Sequence, residues 1–140
     1  MKVCIEKQMI DYETYKELRA SVGWENFCRQ QAEEALSKSA VAQVAKVDGK
    51  TVGMARAVGD SMFYIIVDVV VRPEYQHFGI GTQLVKGLLS WIEEGMLPGS
   101  RVSVQLLAEK GKEGFYEKMG FKLVPHEFCG PALRKVMYKK

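Results

Sequence analysis

Met62-Phe63-Tyr64-Ile65-Ile66-Val67-Asp68-Val69-Val70-Val71 carries one charged side chain, Asp68, in ten residues. It is too short to cross a bilayer, which takes about 20 apolar residues as a helix. Bounded by Gly59-Asp60 before it and Arg72-Pro73 after it, the run reads as a strand covered on both faces in the middle of a sheet. This strand is the spine of the expected fold. Downstream, Gly79 to Glu94 places Ile80, Leu84, Val85, Leu88, Leu89 and Ile92 at helical spacing, and Gly95 stops it. Arg101 to Leu107 then reads as another strand. Strand, helix and strand in that order imply a parallel pair joined by a crossover.

Upstream, Asp48-Gly49-Lys50 separates Ala40 to Val47 from Thr51 to Val58, and Asp-Gly between two such runs is a strong hairpin signal. A helix is expected over about Glu25 to Ser37, with Phe27, Cys28, Ala32, Ala35 and Leu36 on its apolar side. An earlier one is capped by Asp11 and runs through about Leu18, with Ser21-Val22-Gly23 as its break. Lys2 to Lys7 reads as the first strand. At the other end a last helix spans about Lys112 to Met119, stopped by Gly120, and Phe121 to Pro125 and Leu133 to Tyr138 read as two closing strands. The expected architecture is α+β (α/β), a mixed, mostly antiparallel sheet of about six or seven strands with about four helices and one parallel strand-helix-strand unit.

A chain of 140 residues with 47% apolar side chains suits one domain with its own core, spanning 1–140. Disordered and disulfide-stapled classes are excluded. Twenty basic against 17 acidic residues give +3, which suits an anionic small ligand; the lysines are scattered among acids, so no nucleic-acid stripe is expected. Three cysteines without a C-x-x-C pair, and only His77 and His126 as imidazoles, argue against a metal site. Val3, Cys4 and Ile5 are all that lie between Met1-Lys2 and Glu6-Lys7, too little for a secretory signal, and no membrane span is present; a cytoplasmic location is the expectation.

The chemistry concentrates in Gln76-His77-Phe78-Gly79-Ile80-Gly81-Thr82, between the buried strand and the amphipathic helix. A helix start leaves its first N–H groups unpaired at the positive end of the helix dipole, and glycines there let a pyrophosphate approach the backbone. The same glycines could equally do no more than shape the turn. No Lys-Ser/Thr follows them and a third glycine is missing, so neither a Walker A loop nor a dinucleotide fingerprint is present.

The segment Val69-Val70-Val71-Arg72-Pro73-Glu74-Tyr75-Gln76-His77-Phe78-Gly79-Ile80-Gly81-Thr82 resembles the V-x-P-x-Y-R/Q-x-x-G-x-G cofactor signature of the GNAT superfamily of acetyl-CoA-dependent N-acetyltransferases. Phe115-Tyr116-Glu117-Lys118-Met119-Gly120-Phe121, about 35 residues on, is similar to that family's F-Y-x-x-x-G-F motif. The resemblance implies that main-chain groups of Val69, Val70 and Val71 meet the pantetheine arm of acetyl-CoA and that the amides of His77 to Thr82 hold its pyrophosphate. The family usually has Asn six residues before the F-Y pair and a small residue three before it; Glu109 and Lys112 stand there instead.

Acetyl transfer from a thioester to an amine needs an oxyanion donor, a proton for the leaving thiolate and a neutral amine. Tyr116 is the candidate proton donor, and Phe115 its neighbour at the cofactor. A phenol near pKa ~10 protonating a thiolate near ~8.5 is uphill by about 2 kcal/mol, small beside the barrier. A backbone N–H near Val70 is the expected oxyanion donor, made free by a splay of the central strand. Asp68 is the candidate general base, since burial raises a carboxyl pKa; as a hydrogen-bonded structural carboxylate it would orient a neighbouring loop instead. Glu25, His126 or an ordered water are the other choices. Trp24, Arg19 and Phe27 are expected to wall the acceptor side, and Lys86, Lys112 and Lys118 to reach the 3'-phosphate of the cofactor. The acceptor would be a primary amine of a small molecule or peptide. A weakly catalytic acyl-CoA-binding sensor is the alternative, and a homodimer could form if the last strands extended a sheet across two chains.

Overall fold

A computed structural model describes all 140 residues, Met1–Lys140. Asp48 and Gly49 both take positive φ, 49° and 77°, the type I′ geometry whose twist matches a two-residue hairpin. The turn joins β2 (Val41–Val47) to β3 (Lys50–Gly59). With β1 (Val3–Lys7), β4 (Phe63–Val71) and β5 (Ser103–Gln105) they form one sheet in the order β1-β2-β3-β4-β5. The first four strands are antiparallel to their neighbours; β4 and β5 are parallel.

Asp11 caps α1 (Tyr12–Ser21), accepting the Thr14 N–H at 2.9 Å. The second helix, α2, covers Arg29–Ser37 and starts four residues later than the expected Glu25. The residue before it, Cys28, is extended at φ -65°, ψ 152°, and Arg19 Nη2 donates to the Glu25 carbonyl at 2.6 Å. A tertiary bond therefore takes the main-chain acceptor that a first helical turn would have used. Tyr15, Leu18, Ala32 and Leu36 from these helices bury against Ala42, Val44, Met54 and Val70 of the sheet. Because side chains alternate along a strand, Gln43 points to the opposite face, where α3 (Ile80–Glu94) lies with Gly87 against it. Ile80, Leu84, Val85, Leu88 and Ile92 are the buried stripe of α3, the spacing read from the sequence. The chain is thus layered as helices, sheet, helix around β2 to β4. No helix is long and apolar enough to cross a membrane.

The chain divides into two compact units, Met1–Leu106 and Leu107–Lys140. The second holds α4 (Glu113–Glu117), which is shorter than the expected Lys112 to Met119, and closes on Gly120 at φ 95°. The sheet has five strands, fewer than the six or seven expected. Arg101 to Leu107 contributes only Ser103–Gln105. Phe121 to Pro125 and Leu133 to Tyr138 form no strand; one bridge, His126 to Cys129, is the sole pairing there. Pro125, Gly130 and Pro131 interrupt this stretch, and prolines cannot donate to a ladder. With those strands goes the basis of the expected sheet extension between two chains.

Candidate functional site

On β4 the pairing with β3 shifts between Val67 and Val70: Arg56 faces Val67, Met54 faces Val70, and Ala55 alone stands opposite Asp68 and Val69. This is a β-bulge, one extra residue on β4. Asp68 takes φ 54°, a left-handed conformation that Asp tolerates better than most residues. Its carboxylate accepts from Arg19 Nη1 at 2.7 Å, Arg56 Nε at 2.7 Å and Tyr15 Oη at 3.0 Å. All of these side chains are largely buried, and Arg56 Nη1 continues to Ser39 Oγ at 3.3 Å. Burial and the Asp68 charge together raise the Tyr15 pKa above its ordinary 10.0. Both oxygens of Asp68 are thus engaged, Oδ1 by Arg19 and Oδ2 by Arg56 and Tyr15.

Past the bulge, β4 opens on one side. Its ladder with β5 ends at Ile65, opposite Gln105. The Arg72 N–H donates to the Val52 carbonyl at 2.8 Å, toward β3. Alternation then turns Val70 toward β3 as well, and turns Val69 and Val71 toward the side that β5 has left. The open amides are therefore those of Val69 and Val71 and not of Val70 itself. Gln76 Nε2 donates to the Val71 carbonyl at 2.9 Å, so Val71 offers that side its N–H alone.

From Val71 the chain passes a 3-10 turn, Pro73–Tyr75, and enters α3 through His77 at φ 69° and Gly79 at φ 79°. No side chain caps this 15-residue helix. Its first internal bond is the Gln83 N–H to the Gly79 carbonyl at 3.2 Å, leaving the N–H groups of Ile80, Gly81 and Thr82 without helical acceptors. A Cβ at Gly79 would meet nothing within 4 Å, so the space before the helix is open, and Phe78 is 60% exposed beside it. Open amides on β4, which ends at Val71, and the uncapped start of α3 at Ile80 fit the long polar arm and the diphosphate of a coenzyme A thioester. Lys86 is exposed on α3.

The structure brings Arg19, Trp24 and Phe27 together. The Arg19 guanidinium carbon lies 5.0 Å from the Phe27 ring centroid, 5.2 Å from Trp24 and 5.6 Å from Tyr15, distances at which cation–π attraction operates. Arg19 Nε is buried with no partner. Sequence reasoning missed Arg56 and the Tyr15 hydroxyl as partners of Asp68. A signal existed for Arg56: it is the one charge within Thr51 to Val58, as Asp68 is within Met62 to Val71.

In the second unit Tyr116 packs edge-on between Phe115 at 4.9 Å and Phe121 at 5.9 Å. Burial, and then the Glu109 charge, push its phenol pKa above 10.0. Lys112 and Lys118 are exposed, and His126 Nε2 lies 3.3 Å from Cys129 Sγ on the exposed tail.

A sequence model of the acetyltransferase (GNAT) domain matches residues 38–123, from the start of β2 through α4. The chain belongs to the GNAT acetyltransferases. Serotonin N-acetyltransferase 2, chloroplastic, of Oryza sativa subsp. japonica is 33% identical over 129 residues, 88% of this chain and 62% of that protein. An uncharacterised N-acetyltransferase of Pyropia yezoensis is 30% identical over 111 residues, 76% of this chain and again 62% of the relative. The chain thus spans a little under two thirds of these relatives' length. Among solved structures, a GNAT-family acetyltransferase of Streptococcus pneumoniae superposes with a TM-score of 0.80 at 33% identity, covering 98% of this chain and all of that one.

Proposed function

We propose that this GNAT protein transfers an acetyl group from acetyl-CoA directly to a primary amine of a small molecule or peptide. The observation that carries the reading is the pairing of an uncapped α3 N-terminus with a β4 whose Val69 and Val71 amides face away from β3. Acetyl-CoA supplies the activated acyl group as a thioester. Val69 and Val71 hold the pantetheine arm by main-chain bonds, and one of these N–H groups faces the developing oxyanion. The amides from His77 to Thr82, opened by Gly79 and Gly81, take the diphosphate. Gln76 braces the strand end through the Val71 carbonyl.

Tyr116 holds the proton that the leaving thiolate requires. Its raised pKa keeps it protonated at neutral pH, at the cost of a steeper transfer than a free phenol would make. Asp68 is engaged with three donors, and an ordered water serves as the acceptor amine's base. Arg19, Trp24 and Phe27 line the acceptor side, where ring faces suit an aromatic or cationic group. The rice relative, named for serotonin, makes aromatic amines the first class to try.

Glu109, where the family usually has Asn, supports a second reading, an acyl-CoA-binding sensor with little turnover. Calorimetry with CoA and acetyl-CoA, followed by a thiol-release assay over aromatic amines, polyamines, amino acids, aminoglycosides and peptide N-termini, separates the two. The transferase reading expects binding with release for at least one class. Binding without release across the panel favours the sensor, and no binding overturns both.

A further inference from the structure

We propose that Asp68 is the pin of the β4 bulge, and that Tyr15, Arg19 and Arg56 act through it as positioning residues that aim the Val69 and Val71 amides. The inference rests on the reading that these amides meet the acyl-CoA arm.

One extra residue on a strand reverses which side every later N–H and side chain faces. Before the bulge, Val67 stands opposite Arg56; after it, Val70 stands opposite Met54, with Ala55 matched against two residues of β4. Were the bulge ironed out, β4 would slip by one position, Val70 would turn away from β3, and the amides of Val69 and Val71 would turn into the ladder. The direction of the two amides therefore depends on keeping residue 68 out of register.

Residue 68 does not stay there unaided. Its φ of 54° is unfavourable for a side chain with a Cβ, and a regular β3–β4 ladder would regain ordinary backbone geometry. What holds it is the carboxylate. Arg56 reaches it from β3, on the strand that the bulge faces; Arg19 and Tyr15 reach it from α1, packed across the same side of the sheet. Charge-assisted bonds of 2.7 Å from two guanidiniums, one on β3 and one on α1, fix both the depth and the rotation of the side chain. Arg56 is held in turn by Ser39. Arg19 is held by the Glu25 carbonyl and the faces of Trp24 and Phe27. The acceptor-side rings and the cofactor strand consequently share one carboxylate.

The test compares wild type with Asp68→Asn, Asp68→Gly and Tyr15→Phe in the full-length chain. Asp68→Asn keeps the left-handed preference and one oxygen; Asp68→Gly keeps the backbone freedom and removes the tether; Tyr15→Phe removes one donor. Two readings are taken: the dissociation constant for CoA by calorimetry, and the backbone amide resonances of Val69 and Val71 in 15N-labelled protein without ligand. The expected result is a graded loss, smallest for Tyr15→Phe and about tenfold or more for Asp68→Gly, with both amide resonances displaced in the same order. Ile92→Ala, which opens the buried stripe of α3 away from its N-terminus, is expected to lower the melting temperature and leave both readings at wild-type values. CoA affinity and both resonances unchanged in folded Asp68→Gly would overturn the proposal. If Asp68→Gly does not fold, the same readings on Asp68→Asn and Tyr15→Phe decide it. If wild type itself binds no CoA, the transferase reading fails on its own account, and displaced or undisplaced amide resonances still judge the pin.

Discussion

Tyr116 shows how one residue's surroundings set its chemistry. Its hydroxyl keeps its proton more tightly than a free phenol because water is excluded by Phe115 and Phe121 and because the Glu109 charge disfavours a second anion. In the proposed role of proton donor it remains loaded at neutral pH, and turnover that depends on it is expected to decline only when the pH rises through the raised value. Tyr116→Phe is expected to slow acetyl transfer by about 10²-fold, in the range of a single positioned acid, with CoA affinity unchanged by calorimetry. An unaltered turnover number would remove Tyr116 from the reaction. Among the proposed site residues, Tyr116 and the Gly79-Gly81 pair stand out in the sequence because a short local pattern carries them. The partners of Asp68 were not: Tyr15 and Arg19 lie 53 and 49 residues away in the chain, and no local periodicity encodes such a meeting.

Elements follow the local rules where their determinants are local. The Asp48-Gly49 hairpin and α3 match expectation because turn chemistry and helical spacing decide them. The start of α2 and the length of β5 do not, since a side chain from α1 engages Glu25 and only Ser103–Gln105 finds β4 as a partner. At the entrance of α3, Gly79→Ala places a Cβ at φ 79° in open space, so the cost is backbone strain, about 1 kcal/mol. Denaturant titration should show that loss, and CoA should bind more weakly because the methyl group stands before the helix amides. Between β3 and β4, Asp60 accepts the Met62 and Phe63 N–H groups at 3.0 Å. Those bonds, the one from Phe63 first, lower its pKa below 3.8. A lowered carboxyl pKa contributes stability above the unfolded value and loses it as pH falls through the folded one. Asp60→Ala should therefore melt below wild type at pH 7, and the gap in melting temperature should narrow as the pH falls below the ordinary 3.8 and through the lowered value; a gap that stays constant with pH would contradict this.

For the whole molecule, the sequence conveyed the layering and the strand-helix-strand unit but overstated the sheet. Phe121 to Pro125 and Leu133 to Tyr138 have apolar residues at strand density, yet Leu133, Met137 and Tyr138 are 94%, 83% and 89% exposed. Composition alone cannot distinguish an apolar stretch that finds a ladder from one that does not. Exposed main chain without ladder bonds is where proteases cut first. Brief trypsin treatment should cleave after Arg134 and Lys135 before any site within the β2–β3 hairpin, as mass spectrometry of the fragments would show; early cleavage at Lys46 or Lys50 would contradict the layering.

Arg19 has one more consequence, for which substitutions this chain can accept. Its planar fork spends one prong on a carboxylate and another on a peptide carbonyl while three rings close over its surface. Lysine has a single round head and cannot serve two acceptors and a stack at once; glutamine has the reach of neither. A saturation library at this codon, sorted for folded and CoA-retaining protein, should return arginine almost alone, making position 19 the least forgiving polar position of α1.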